Sequence, residues 1–357
     1  MSQIKAEVVT YSQTPQGDKL LTVLVTFPRY ILAELNTHRM LSKNSASSRA
    51  IPFKKMVESV QNNSFIPIAW QKEHKGMQGS EYLSEEESNE CRLNWLGARD
   101  KAIRAAIDLT SIGCTKQLAN RLLEPFMMHT VLITGTVEGG WDNFFDLRCP
   151  QYTQTSLDND EFLVFKSKKE VIKFYNKKED DFTADYWFKI NKGMADIHMM
   201  QLAECIYDAM NEATPKQLKA GEWHVPFEDK INLQQLELLT SSQKQEVIIK
   251  VSSAMAARTS YTIVGDEKEF TLRQQLDLHD RMASAVPFHA SPFEHCAKVM
   301  TQNEYEMYYR GKSTYLKADG GIFPYEAYGW CRNFRGFIQY REILEQQNKT
   351  NGNTNRN

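Results

Sequence analysis

Asn36-Thr-His-Arg-Met-Leu-Ser-Lys-Asn-Ser-Ala-Ser-Ser-Arg49 places two arginines, a histidine, four serines and two asparagines directly after a chain segment, Leu20 to Leu35, that is too apolar for a surface loop. Small residues let backbone N–H groups turn inward as a nest, hydroxyls add donors, and the planar guanidinium of Arg49 suits bidentate contact with phosphate oxygens. The same composition also suits a solvated Ser/Asn turn. The stretch on its own leaves both readings open.

Upstream, Ala6 to Tyr11 and Leu20 to Phe27 read as strands, and the polar turn Gln13 to Asp18 between them predicts a hairpin. Pro28 suits a first helical turn, where its missing N–H costs nothing, and Ile31, Leu32 and Leu35 give that helix one apolar side. The loop then follows a helix C-terminus, whose partial negative charge favours its cations.

Downstream, Lys54 to Gln61 reads as a short helix. Ser84 with Glu85, Glu86 and Glu87 is a strong helix start, and apolar positions from Cys91 to Leu109 predict a long core helix to about Ile112. Thr115 to Met128 reads as a helix ending near Pro125, His129 to Val137 as a β-branched strand and Gly140 to Arg148 as a short helix. Residues 151–193 mix Lys, Asp and Glu with aromatics. They are expected to form an inserted surface lobe, since interspersed acids argue against a basic arm for nucleic acid. Thr240 or Ser242, each with glutamine three residues on, starts a helix through Val247, Val251 and Ala254, and Thr271 to Ala285 is a second capped helix. Gly329 to Arg341 is basic and aromatic and suits closure of the core or of a site. Residues 346–357 read as a disordered polar tail after a single domain over residues 1–345.

The 357 residues are 41% hydrophobic and 11% aromatic, ample for a packed core. Lys plus Arg is 43 against 45 for Asp plus Glu, so no global field draws the chain to nucleic acid or an acidic membrane, and any anion must be held locally. Six scattered cysteines without a CxxC pair fit reduced thiols in a cytoplasm. The polar start and the lack of a membrane-length apolar run predict neither a signal peptide nor a span.

Three blocks resemble one family. His38-Arg39 followed by Ser42, Asn44, Ser47 and Arg49 resembles the signature loop of the flavin-dependent thymidylate synthases. Thr37 stands for the loop's first arginine, Ser45 for its glutamate and Ser48 for its glycine. Asn120-Arg-Leu-Leu-Glu-Pro125 resembles the segment with a phosphate-contacting arginine, and Trp141-Asp-Asn-Phe-Phe-Asp-Leu-Arg148 resembles the family's Asn-Phe-Leu-Asn-Leu-Arg. Ala256-Ala-Arg-Thr-Ser-Tyr261 and His289-Ala-Ser-Pro-Phe-Glu-His295 resemble segments that open the usual family chain but here follow everything else. Circular permutation accounts for that order if the old termini lie close together.

The resemblance implies an α+β fold, a small, mostly antiparallel sheet packed with long helices. It also implies FAD as cofactor, methylene-tetrahydrofolate and NADPH as co-substrates, and reductive methylation of dUMP to dTMP in a homotetramer. Arg148 is the residue implied for activation of the base. Ser47, Ser48, Arg49, Arg121 and Arg148 are implied for the nucleotide, and His38, Arg39, Asn44, Asn143, His289, Ser291 and Glu294 for the flavin. Plain sequence offers duller roles for each: local ion pairs for Arg148 and satisfied surface polarity for the rest. Hydroxymethylation of a pyrimidine deoxynucleotide, or a flavin-free nucleotide-binding protein, are the alternatives that Thr37, Ser45 and Glu34 leave open. No metal is expected, since His289 and His295 lack a third ligand at a recognisable spacing.

Overall fold

The computed structural model describes residues 3–75, 79, 81–155, 162–259, 270–309 and 327–350. Strands β1 (Lys5–Gln13) and β2 (Lys19–Pro28) form the expected antiparallel hairpin. After Pro28 a 3-10 turn, Arg29–Ile31, leads into the short helix α1 (Leu32–Leu35). The following stretch is not irregular throughout: Ser42–Ser45 is a strand, β3. Helix α2 (Phe53–Asn62) follows. Helix α3 (Glu85–Ser111) starts at a capping box in which Ser84 and Glu87 satisfy each other's backbone N–H.

Two expectations change in this region. Only Ile103 and Ala106 of α3 are buried, and Leu93 and Ile107 stand in solvent, so α3 is a surface helix with a narrow apolar seam instead of a core helix. The helix expected over Thr115 to Met128 is cut short. Helix α4 (Lys116–Ala119) tightens into a 3-10 segment, Asn120–Phe126, because Pro125 lacks the N–H that an α-helix needs there.

Strand β4 (Met128–Thr136) runs through a kinked turn into α5 (Asp142–Arg148). The inserted region holds β5 (Tyr152–Thr155), β6 (Phe162–Phe165), α6 (Lys168–Tyr175) and α7 (Ala184–Ile190), gathered on their own cluster of Tyr152, Val171 and Trp187. Asp196 caps α8 (Ile197–Glu212), and β7 (Lys216–Gln217) and β8 (Trp223–His224) follow. Capping boxes at Thr240 and Thr271 start α9 (Ser241–Arg258) and α10 (Leu272–Ala283). A 3-10 turn, Ser291–Glu294, precedes β9 (Ala297–Val299) and α11 (Gln302–Met307). The chain closes with β10 (Trp330–Cys331), β11 (Phe334–Arg335), β12 (Phe337–Gln339) and α12 (Tyr340–Thr350). Residues 346–350, expected in a disordered tail, are therefore helical, and 351–357 lie outside the described residues.

The architecture is α+β, with small sheets and many helices. The main sheet has the order β3-β4-β2-β1-β7, antiparallel except for the β1–β7 pair, and β12-β9-β8 form a second sheet. Side chains alternate across β2 and both faces are covered. Leu21, Val23, Val25 and Phe27 meet Met199, Leu202 and Ile206 of α8, while Leu20 and Leu24 face clusters holding Phe337 and Ala256. Burial on both faces explains why β2 reads as a largely apolar run, interrupted only by Thr22 and Thr26 between Leu20 and Phe27. Each such fully buried side chain contributes roughly 1.5–3 kcal/mol. Among the described residues no helix is long and apolar enough to cross a membrane.

Candidate functional site

Phe144 and Phe145 bury one side of α5 and leave Arg148 in its last turn, facing the loop after α1. Arg148 Nε donates to His38 Nε2 at 2.9 Å, and its Nη1 pairs with the Glu34 carboxylate. A guanidinium has no acceptor, so His38 Nε2 is the unprotonated ring nitrogen. Burial, then the charges of Arg148 and Lys43, push His38 down to about 4, and it is neutral at pH 7. Its ring packs edge-on against Phe144, with centroids 4.9 Å apart. The cation is thereby oriented by a neutral ring and a carboxylate.

The pairing of β3 with β4 points alternate residues of the loop to opposite sides. Asn44 is buried. Its Nδ2 donates to the Ala256 carbonyl at the end of α9, and its Oδ1 accepts from Ser291 Oγ at 3.0 Å. Lys43 Nζ donates to the carbonyls of His38 at 2.6 Å and Leu41 at 2.9 Å. Burial pushes this ammonium down to about 8, against the opposing pull of Glu294.

A cleft of about 460 Å³ opens beside it, lined among others by Arg39, Lys43, Glu294, Arg332, Asn333 and Arg341. Arg341 Nη1 reaches Glu294 at 2.5 Å, and Arg332 is held by Glu342 at 2.7 Å and Glu345 at 2.6 Å. Of the residues expected at a flavin, Arg39 and Glu294 line this cleft, and Asn44 and Ser291 form the latch that joins the loop to the turn before β9. Asn143 and His289 are exposed.

The nucleotide-side set divides. Arg121 and Ser48 both meet Glu124, Ser48 Oγ donating to its Oε1 at 2.5 Å and Arg121 Nη1 lying 3.5 Å from the same oxygen. Asn120, fully buried, ties the segments together by donating to the carbonyls of Ser48 at 2.7 Å and Ile51 at 3.0 Å. Ser47 turns the chain with its carbonyl, while Arg49 is exposed and, among the described residues, makes no ion pair. Arg148 stands apart from these with His38. A second cleft, of about 440 Å³, lies beside Arg29, Arg121 and Glu124, and Asn36 lines both clefts.

Solved structures of a UMP/dUMP methylase, PolB from Streptomyces cacaoi, are similar to part of this chain. The form bound with 5-Br UMP shares 17% identity over 42% of this chain and 78% of that one, at a TM-score of 0.33. The form bound with 5-Br dUMP shares 15% over 49% and 88%, at 0.35. No family model matches the sequence, and no curated protein matches it.

Sequence reasoning did not place Lys43, Arg29, Glu124, Arg332, Asn333 or Arg341 among the functional candidates. The basic, aromatic run Gly329 to Arg341 carried a signal for three of them. Lys43 could have been found from the alternation of a strand, had the loop been read as one. His295, weighed for metal, is buried and bonded through Nδ1 to Thr134 Oγ1 at 2.8 Å. Among the described residues no group of three or more His, Cys, Asp or Glu is placed to hold a metal ion. Burial pushes the Cys149 thiol well above its ordinary range, which removes the cysteine beside Arg148 as an activated nucleophile.

Proposed function

We propose that the chain is a flavin-dependent enzyme of the thymidylate synthase type, carrying out reductive methylation of dUMP to dTMP with methylene-tetrahydrofolate. The observation that supports it is the meeting of separate blocks. Arg148 meets His38 across 110 positions, and Asn44 meets Ser291 across 247. The permuted order of the blocks would leave that assembly intact.

Arg148 is the residue that acts on the base. With Nε on His38 and Nη1 on Glu34, its Nη2 is the donor left for a ring carbonyl, where a permanent cation stabilises negative charge as C5 becomes nucleophilic. His38, neutral, holds the guanidinium plane without adding a second positive charge. Ser48, Arg121 and Arg49 serve the nucleotide phosphate. The cleft of Arg39, Lys43, Arg332, Asn333 and Arg341, which Glu294 also lines, gathers donors suited to an anionic pyrophosphate, and there these residues would hold FAD. When bound, reduced flavin supplies the hydride.

The test is flavin extraction from purified protein together with product analysis. A yellow protein that releases FAD and converts dUMP in the presence of NADPH and methylene-tetrahydrofolate is expected, and product mass separates a methyl from a hydroxymethyl group. Sedimentation is expected to give a homotetramer. A colourless protein that takes up no FAD would overturn the reading.

A further inference from the structure

One oxygen of Glu124 accepts a hydrogen bond from Ser48 and forms ion pairs with Arg29 and Arg121. Ser48 Oγ stands at 2.5 Å from Oε1, Arg29 Nη2 at 3.2 Å and Arg121 Nη1 at 3.5 Å. The carboxylate side chain is only 22% exposed and that of Arg29 15%, so these charges are partly withdrawn from water, where they interact more strongly than a surface pair. Arg29 is fixed from behind by a hydrogen bond between its Nη1 and the His129 ring, and its own backbone N–H donates to the Met127 carbonyl at 3.0 Å. His129 is buried and pushed down to about 3, by burial first and Arg29 second, so it stays a neutral support. The arrangement is a two-arginine, one-hydroxyl seat with a carboxylate in it, Arg29 anchored and Arg121 half-exposed, at the wall of the cleft beside α1.

We infer that Glu124 is an internal anion that occupies the phosphate seat, and that a phosphate monoester binds by displacing it, with Arg29 as a third phosphate-contacting group. The chemistry of the donor set carries this. Three donors crowd one carboxylate oxygen, whereas a phosphate monoester presents three oxygens, one for each. Displacement also sets selectivity. A ligand without a phosphate gains nothing from moving Glu124, while a dianion exchanges a single carboxylate contact for several charge-assisted bonds. The inference rests on the proposed nucleotide reading for the choice of ligand, but not for the existence of the seat.

The experiment measures binding of dUMP, AMP, deoxyuridine and inorganic phosphate to the full chain by calorimetry, in wild type and in Glu124→Gln. The glutamine keeps an acceptor for Ser48 and removes the competing charge. Binding of dUMP and of inorganic phosphate is expected to tighten by about tenfold, equivalent to about 1.4 kcal/mol, with deoxyuridine unchanged. Arg29→Ala is expected to weaken both phosphate ligands and leave deoxyuridine unchanged. Thermal melting with added phosphate gives an independent readout, with a larger upward shift in Glu124→Gln than in wild type.

If dUMP binds wild type but Glu124→Gln binds it equally or more weakly, the displacement idea is overturned and the nucleotide reading stands. If phosphate tightens in the variant but no preference for dUMP over other nucleoside monophosphates exists, the seat stands and the pyrimidine reading falls.

Discussion

Histidines with strongly lowered pKa values in two regions of this molecule share burial as the first cause and differ in their neighbours. In the core between the two sheets, His224 bonds Ser12 at 2.9 Å and Thr22 at 2.8 Å, Thr22 bonds Thr134 at 2.7 Å, and Thr134 bonds His295 at 2.8 Å. Both rings are buried and are pushed down to about 3, chiefly by burial. Beside the clefts, His38 is lowered to about 4 by burial and by a guanidinium that donates to it. The first set is a polar chain inside an apolar core, ending at His295, whose buried Nε2 has no hydrogen-bond partner among the described residues. The second joins a neutral ring to a permanent cation, with the ring placed in the chain between Asn36 and Arg39, which line clefts. A lowered pKa marks burial in both, and only the neighbouring charge points to chemistry.

The sharpest way to separate the regions is to remove the cation. Arg148→Ala is expected to lower turnover of dUMP by about 10²–10³, the usual effect of deleting a charge-stabilising donor, with little change in the urea midpoint. Unchanged turnover would place His38 and Arg148 with the structural histidines. The converse substitution, Thr134→Val, breaks the core chain between Thr22 and His295. It is expected to cost about 1–3 kcal/mol in urea unfolding while leaving turnover per folded molecule intact, because it strands buried hydrogen-bonding groups, none of which lines either cleft.

The pH dependence distinguishes them more finely. A histidine whose folded pKa is depressed binds fewer protons in the native state, so its contribution is complete above about 6.5 and is lost as pH falls. For His38 that loss falls between the ordinary histidine value and about 4, and for His224 and His295 it continues to about 3. Glu204, buried under the inserted lobe and pushed up to about 7, acts in the opposite sense and weakens the fold as pH rises toward neutrality. Comparing urea midpoints of wild type and His38→Gln cancels the other groups. The variant should show a shallower acid decline above about pH 4. An identical slope would show that His38 is not held neutral.

The smallest effect belongs to the surface. Lys166 reaches Asp146 of α5 at 2.5 Å, but the two side chains are 36% and 64% exposed. Asp146→Asn is expected to change stability by less than about 1 kcal/mol, as measured by urea midpoint.

Much of the scaffold could be read directly. The β1–β2 hairpin, the capped starts of α3, α9 and α10, and the strand after Pro125 follow from alternation, capping residues and turn composition, which act over a few positions. The loop was harder. Its serines and asparagines look like a turn, yet β4 offered an unpaired edge and drew Ser42–Ser45 into the sheet. Helix α3 has helical spacing, but periodicity cannot say what will cover a face, and for most of α3 nothing described does.

What the sequence determined by itself was local: where the backbone bends, which runs are apolar enough to bury, and that basic and hydroxyl side chains cluster before Arg49. The tertiary structure alone decided which nitrogen of His38 accepts from Arg148, that Glu124 sits among Ser48, Arg29 and Arg121, and that Asn333 and Arg341 reach the loop region from the far end of the chain, Asn333 donating to the Met40 carbonyl across 293 positions. The physical reason is range. Capping and periodicity are set by neighbours in the chain, whereas hydrogen bonds and ion pairs between distant residues depend on how closed sheets and helices happen to juxtapose them.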